Sequence, residues 1–211
     1  MKRSACERLL IASLESPLRD LGFQTDGVLA YLRTTQFGGQ TLRFGIRLEP
    51  DGTCRIGGTA GIRFREIQAI LEHFETGGGD LTPTVVMPFH LLHADRRHFE
   101  WSLPSPEETP RVCSEILREV ETSALPFFDR FSTLDAFAAT LNEPTASSWF
   151  ILTPEQREAT LAAIDHLAGA TSSAVARLDR AIAERLEKPP KYRKNLEKLR
   201  DFLSSSPVGP G

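Results

Sequence analysis

The chain has little of what would staple it together or carry it across a membrane. Cysteine is scarce: three in 211 residues, at positions 6, 54 and 113, an odd number with no close pair in sequence. That excludes a disulfide-dense scaffold and matches the usage of a reducing compartment, where thiols serve as small buried hydrophobes. Long apolar runs are missing too, for no stretch approaches the ~20 apolar residues that a bilayer span needs. Glu7 and Glu15 interrupt the segment after Lys2 and Arg3, so it lacks a signal-peptide core. The expected address is the cytoplasm, with no membrane attachment. Nor is there an excess of charge of one sign. Twenty-five basic groups against 28 acidic ones give −3, which argues against a global binder of nucleic acid or anionic lipid.

What is present is enough apolar material, 40% of the chain, for one generous domain with an appendage. Leu9, Leu10, Leu14, Leu18 and Leu21 recur at helical spacing before Gly22, which predicts an amphipathic helix over residues 4–21. The period then changes from 3.6 to 2. Leu42, Phe44, Ile46 and Leu48 alternate with polar or small residues, the pattern of a strand with one buried face, and residues 28–34 read as the strand before it. Pro50-Asp51-Gly52 is a three-residue hairpin connection, whose register sets Leu48 against Cys54, Ile46 against Ile56 and Arg47 against Arg55. A helix is expected over 64–74, and a second apolar hairpin over 84–93 and 97–103, with Pro88 marking an edge or a bulge.

From Ser105 onward only helices are expected. Starts are read at Ser105-Pro106 or the competing Thr109-Pro110, at Ser132, and at the Thr153-Pro154-Glu155-Gln156 capping box. Lysine, with five residues, is concentrated late: Lys188, Lys191, Lys194 and Lys198 make up all but one. Residues 1–145 hold 15 basic and 20 acidic groups, whereas 146–211 hold 10 and 8. The expected fold is α+β: an antiparallel sheet of about five strands packed by helices, in a core of residues 1–145. A helical extension over 146–205 and a frayed tail at 206–211 follow.

The segment Leu18-Arg19-Asp20-Leu21-Gly22-Phe23, then Gly27 and the strand Leu29-Ala30-Tyr31-Leu32-Arg33, resembles the opening of a bacterial domain family of unknown function, number 4304. Trp101 and Leu125-Pro126-Phe127-Phe128-Asp129-Arg130-Phe131 look like that family's later landmarks, so the resemblance covers roughly residues 5–142. It implies a small cytosolic α+β domain, some of whose relatives have been proposed as immunity or partner-binding proteins in bacterial conflict systems. It supplies no catalytic residues.

Several constellations in the sequence could carry chemistry. His90, His93, Asp95 and His98 fall within nine residues, and His93, Asp95 and His98 would be the ligands of a metal-dependent hydrolase. Against that, strand parity sends His90 and His93 to opposite faces. There is no G-x-S-x-G elbow, Gly57, Gly58 and Gly61 do not fit a phosphate loop, and adjacent glutamates on a helix diverge. No cofactor is expected. The basic tail, with Lys188, Lys191, Arg193, Lys194 and Lys198, offers a nucleic-acid reading, which interleaved Glu184, Glu187 and Glu197 disfavour as ordinary helix ion pairs.

The strongest candidate is the outward sheet face. Parity puts Arg43, Arg47, Arg55 and Arg63 there, with Arg47 opposite Arg55. Like charges directly opposite destabilise a sheet unless neutralised. Either Glu49, Glu100 or a carboxylate on a covering helix does so, or an acidic partner protein does. The expected function is therefore a non-enzymatic protein-binding domain, immunity-like on the strength of the resemblance.

Overall fold

A computed structural model describes residues 2–72, 84–93, 98–143, 152–184 and 190–205. The chain is α+β. Its six-stranded sheet runs in the order β1 (Gln24–Thr25), β2 (Ala30–Thr35), β3 (Gly38–Leu48), β4 (Cys54–Phe64) and β5 (Val85–Pro88), with β6 (Trp101–Leu103) also pairing with β4. β2 pairs with β3, and β4 with β6, antiparallel: Ala30 faces Arg43, and Cys54, Arg55 and Ile56 face Leu103, Ser102 and Trp101. Two compact units are present, Met1–Ile62 with Val86–Phe131, and Arg63–Val85 with Ser132–Gly211. They divide the chain differently from the 1–145 and 146–205 segments expected from composition.

In the first unit, α1 (Arg3–Asp20) lays Cys6, Leu10, Leu14 and Leu18, all fully buried, along one stripe against β3 and α4 (Thr109–Glu119). Each fully buried leucine stabilises by roughly 1.5–3 kcal/mol. The helix stops at a Schellman motif: Phe23 N–H donates to the Leu18 carbonyl and Gly22 N–H to that of Arg19, with Gly22 at φ +86°. A side chain at position 22 would also press on Arg33.

The Pro50-Asp51-Gly52 connection forms as expected. Glu49 N–H donates to the Thr53 carbonyl, Gly52 takes φ +84°, and the Asp51 carboxylate accepts from Thr53 N–H at 2.9 Å. That backbone bond holds the Asp51 carboxyl below its ordinary value. Leu42, Phe44 and Ile46 are buried, but Leu48 is 45% exposed, because the apolar alternation runs one position past the covered part of the strand.

The second expected hairpin does not form. Residues 85–88 and 101–103 each pair with β4 rather than with each other. Pro88, at φ −60°, ends its strand and leads into the helical turn α3 (Phe89–Leu92), so His90 lies on a helix and strand parity no longer orders the histidines. Phe44, Phe89 and Trp101 form an aromatic cluster, with Phe44 and Phe89 stacked at 6.1 Å and Phe89 edge-on to Trp101 at 5.7 Å. Gly58 makes room for it, since a methyl group there would meet the Phe89 ring at 2.3 Å.

Of the competing starts, Thr109 opens α4, after a 3₁₀ turn at Pro106–Glu108. A π-helical turn, Val120–Ala124, carries the chain into α5 (Leu125–Arg130). Phe23 and Phe128 lie 6.1 Å apart, and the Arg33 guanidinium sits over both, 4.9 and 5.9 Å from their centroids. Arg33 also donates to Gln40 at 2.7 Å and to the Leu21 carbonyl at 3.2 Å. Burial lowers its guanidinium against the opposing pull of Asp129. These residues hold a junction of the core together.

The second unit holds α2 (Arg65–Leu71), α6 (Leu134–Asn142), α7 (Pro154–Leu167), α8 (Thr171–Ala183) and α9 (Pro190–Ser205). Helix α2 is shorter than the 64–74 expected, and residues 73–74 lie outside the described residues. Helix α7 is its centre, packing on α2, α6, α8 and α9. Its capping box is complete: the Thr153 hydroxyl accepts from Gln156 N–H, and the Gln156 side chain accepts from Thr153 N–H. Gly169 at φ +79° closes it in a second Schellman motif. Phe64 and Phe137 stack at 4.9 Å. The expected tail at 206–211 lies outside the described residues.

Candidate partner-binding site

The arginines of the outward sheet face divide by environment. Arg47 is exposed and holds two carboxylates, Glu49 at 2.6 Å and Glu100 at 2.9 Å, which keep its guanidinium above its ordinary value. Its like-charge problem is thus answered from within by the two groups singled out in the sequence. Arg43 is exposed on β3. Arg55 is half-exposed and stands opposite Ser102 in the β4–β6 ladder; among the described residues it makes no ion pair. Its charge is felt by Asp51. Arg63 belongs to the second unit, where it approaches Glu72 at 3.6 Å while its Nε has no hydrogen-bond partner.

Beside this row, between β6 and α4, lies an open cleft of about 600 Å³. Phe99, Glu100, Trp101 and Ser102 form one wall, and the α4 face Arg111, Glu115, Arg118 and Glu119 the other, with His93 between them. The helix supplies its four side chains at i, i+4, i+7 and i+8, one stripe of an α-helix. Glu100 serves both features, lining the cleft and bonding Arg47. Arg111 donates to Glu108 and to Glu115, each at 2.6 Å. Glu119 accepts from the Ser123 hydroxyl, and His93 Nε2 lies 2.7 Å from its carboxylate, off the axis a hydrogen bond needs. Phe99 is held edge-on between His93 and Trp101 at 5.3 and 5.4 Å.

The metal reading meets a different arrangement. His93 faces Phe99 and Glu119, whereas His98 pairs its ring with His90 at 4.9 Å; Asp95 lies outside the described residues. Among the described residues no group of three histidines, cysteines or carboxylates is arranged to hold a metal ion. Burial, and then the charge of His98, lower the His90 imidazole.

The three cysteines, distant in sequence, come together in the core and are free thiols. Burial first, then a hydrogen bond with Cys54, pushes the Cys6 thiol up to about 12; burial raises Cys113 as well. A thiol held in that state is a poor nucleophile.

In the basic tail, the arginines are tied to carboxylates: Arg193 approaches Glu197 at 3.4 Å, and Arg200 reaches Asp179 at 3.3 Å and Asp201 at 2.7 Å. Lys194 and Lys198 are exposed; Lys188 and the Lys191 side chain lie outside the described residues. No described helix is long and apolar enough to cross a membrane.

Sequence reasoning reached Arg47, Arg55, Glu49 and Glu100 but missed the α4 wall. Its signal was there, as charged residues at helical spacing on the face flanking the apolar stripe, but nothing in the sequence says which strand edge that face meets. The chain matches no family model, no curated protein and no solved structure.

Proposed function

We propose that the chain is a non-enzymatic, cytoplasmic protein-binding domain that docks an acidic surface of a partner on the arginine row of its first unit. Arg55 is the observation that carries this reading. It is half-exposed, next to the cleft, and makes no ion pair among the described residues, whereas Arg47 beside it is already matched by Glu49 and Glu100. A guanidinium in that position offers a planar, two-pronged donor to an incoming carboxylate. The buried, protonated thiols and the ion-paired tail arginines speak for a binding role over nucleophilic catalysis or nucleic-acid binding.

The resemblance makes an immunity-like role in a bacterial toxin system the specific form of this proposal. Co-expression with the products of neighbouring reading frames tests it. A toxin-like neighbour that co-purifies, and whose binding weakens on Arg55→Glu, supports the reading. Failure of every neighbour to bind removes the immunity form.

A further inference from the structure

The first unit brings two imidazoles together. The turn α3 carries His90, and the chain entering β6 carries His98. Their ring centroids lie 4.9 Å apart with the planes inclined at 52°, neither stacked nor edge-on. Aromatic attraction favours those two arrangements, so ring packing does not account for the approach. No hydrogen bond holds His90 either: what acts on its imidazole is burial, then the charge of His98. Both keep the ring neutral, the form in which imidazole ligates.

The spacing is that of two ligands on one ion. With metal–nitrogen bonds of about 2.0–2.1 Å at a tetrahedral centre, two imidazoles stand with their centroids about 5 Å apart. Nitrogen ligands of this kind suit zinc, nickel and copper(II), whereas magnesium and calcium take oxygen. Among the described residues no third metal-ligating side chain joins the pair. His90 is half-buried and His98 exposed, so the site opens to solvent on one side.

We propose that His90 and His98 together bind one divalent transition ion of the zinc, nickel and copper(II) class, with water in its open positions. This pair differs from the His93, Asp95 and His98 set expected from sequence, for His93 is turned to Phe99 and Glu119. Neither histidine belongs to the arginine row.

Titration of the untagged full chain with Zn²⁺, followed through the histidine ring C–H signals by NMR, tests the site. The His90 and His98 rings are expected to shift together and saturate at one ion per chain, while the ring of His166 stays put and Mg²⁺ moves neither of the pair. Loss of a mere outer-shell partner weakens metal binding about tenfold or more, so His90→Gln and His98→Gln should each cost at least that. His98 is exposed, so His98→Gln decides alone should His90→Gln lose its fold. His93→Gln leaves Zn²⁺ affinity unchanged. No saturable shift of the two rings at millimolar Zn²⁺ overturns the proposal. So does undiminished affinity in folded His98→Gln, or a loss in His93→Gln equal to that in His98→Gln.

Discussion

Single atoms decide several positions in this protein. A methyl group at Gly58 would sit 2.3 and 2.6 Å from Phe89 ring carbons and 3.2 Å from Trp101, and neither ring can swing aside in a packed cluster. Gly58→Ala is expected to destabilise by about 1–3 kcal/mol in denaturant unfolding, the usual cost of overpacking; an unchanged midpoint would show that the cluster yields. The ring that would crowd a side chain here comes from α3, a segment expected from sequence to be strand.

His166 makes a second prediction at this scale. It is buried near the end of α7, its Nδ1 3.0 Å from the Thr171 hydroxyl, and burial lowers its imidazole below the ordinary 6.5. The unfolded chain then takes up the proton first as pH falls. His166 therefore contributes stability that is fully present above pH 6.5 and lost below it. Thermal unfolding of His166→Gln should depend less steeply on pH, as it falls below 6.5, than that of the natural chain. Equal slopes would contradict this. His90, also lowered, contributes in the same direction and stays in both proteins.

At the scale of elements, the signals that proved legible were those written in local chemistry. The Thr153-Pro154-Glu155-Gln156 box, the glycine stop at 22 and the Pro50-Asp51-Gly52 turn each formed with the hydrogen bonds their residue types call for. Thr153→Ala removes an acceptor from the first turn of α7, the helix on which its unit is built, and should cost about 1 kcal/mol. Chemical denaturation measures it, and a change within error would mean that the neighbouring helices hold this terminus without its cap. What misled was apolar content without a firm period. Residues 84–103 are rich in Val, Phe and Leu and read as a hairpin, but Pro88 ends one strand and the next returns to β4. Both segments needed the same partner, a long-range choice that local alternation does not encode.

For the molecule as a whole, charge is the property whose reading changed most. The total of −3 conceals an arginine row on one sheet face and a cleft with more carboxylates than guanidinium groups beside it, joined through Glu100. Half of that site was legible: alternation placed Arg43, Arg47 and Arg55 on β3 and β4, and Glu49 and Glu100 as neutralisers. The cleft was not, because it depends on which helix stands beside β6. The most direct measurement is the affinity of a co-purifying neighbour-encoded partner for the natural chain and for Arg55→Glu, with circular dichroism confirming an intact fold. The account predicts a loss of about tenfold or more, equivalent to roughly 1.4 kcal/mol. Unchanged affinity for such a partner in a folded Arg55→Glu protein would contradict it.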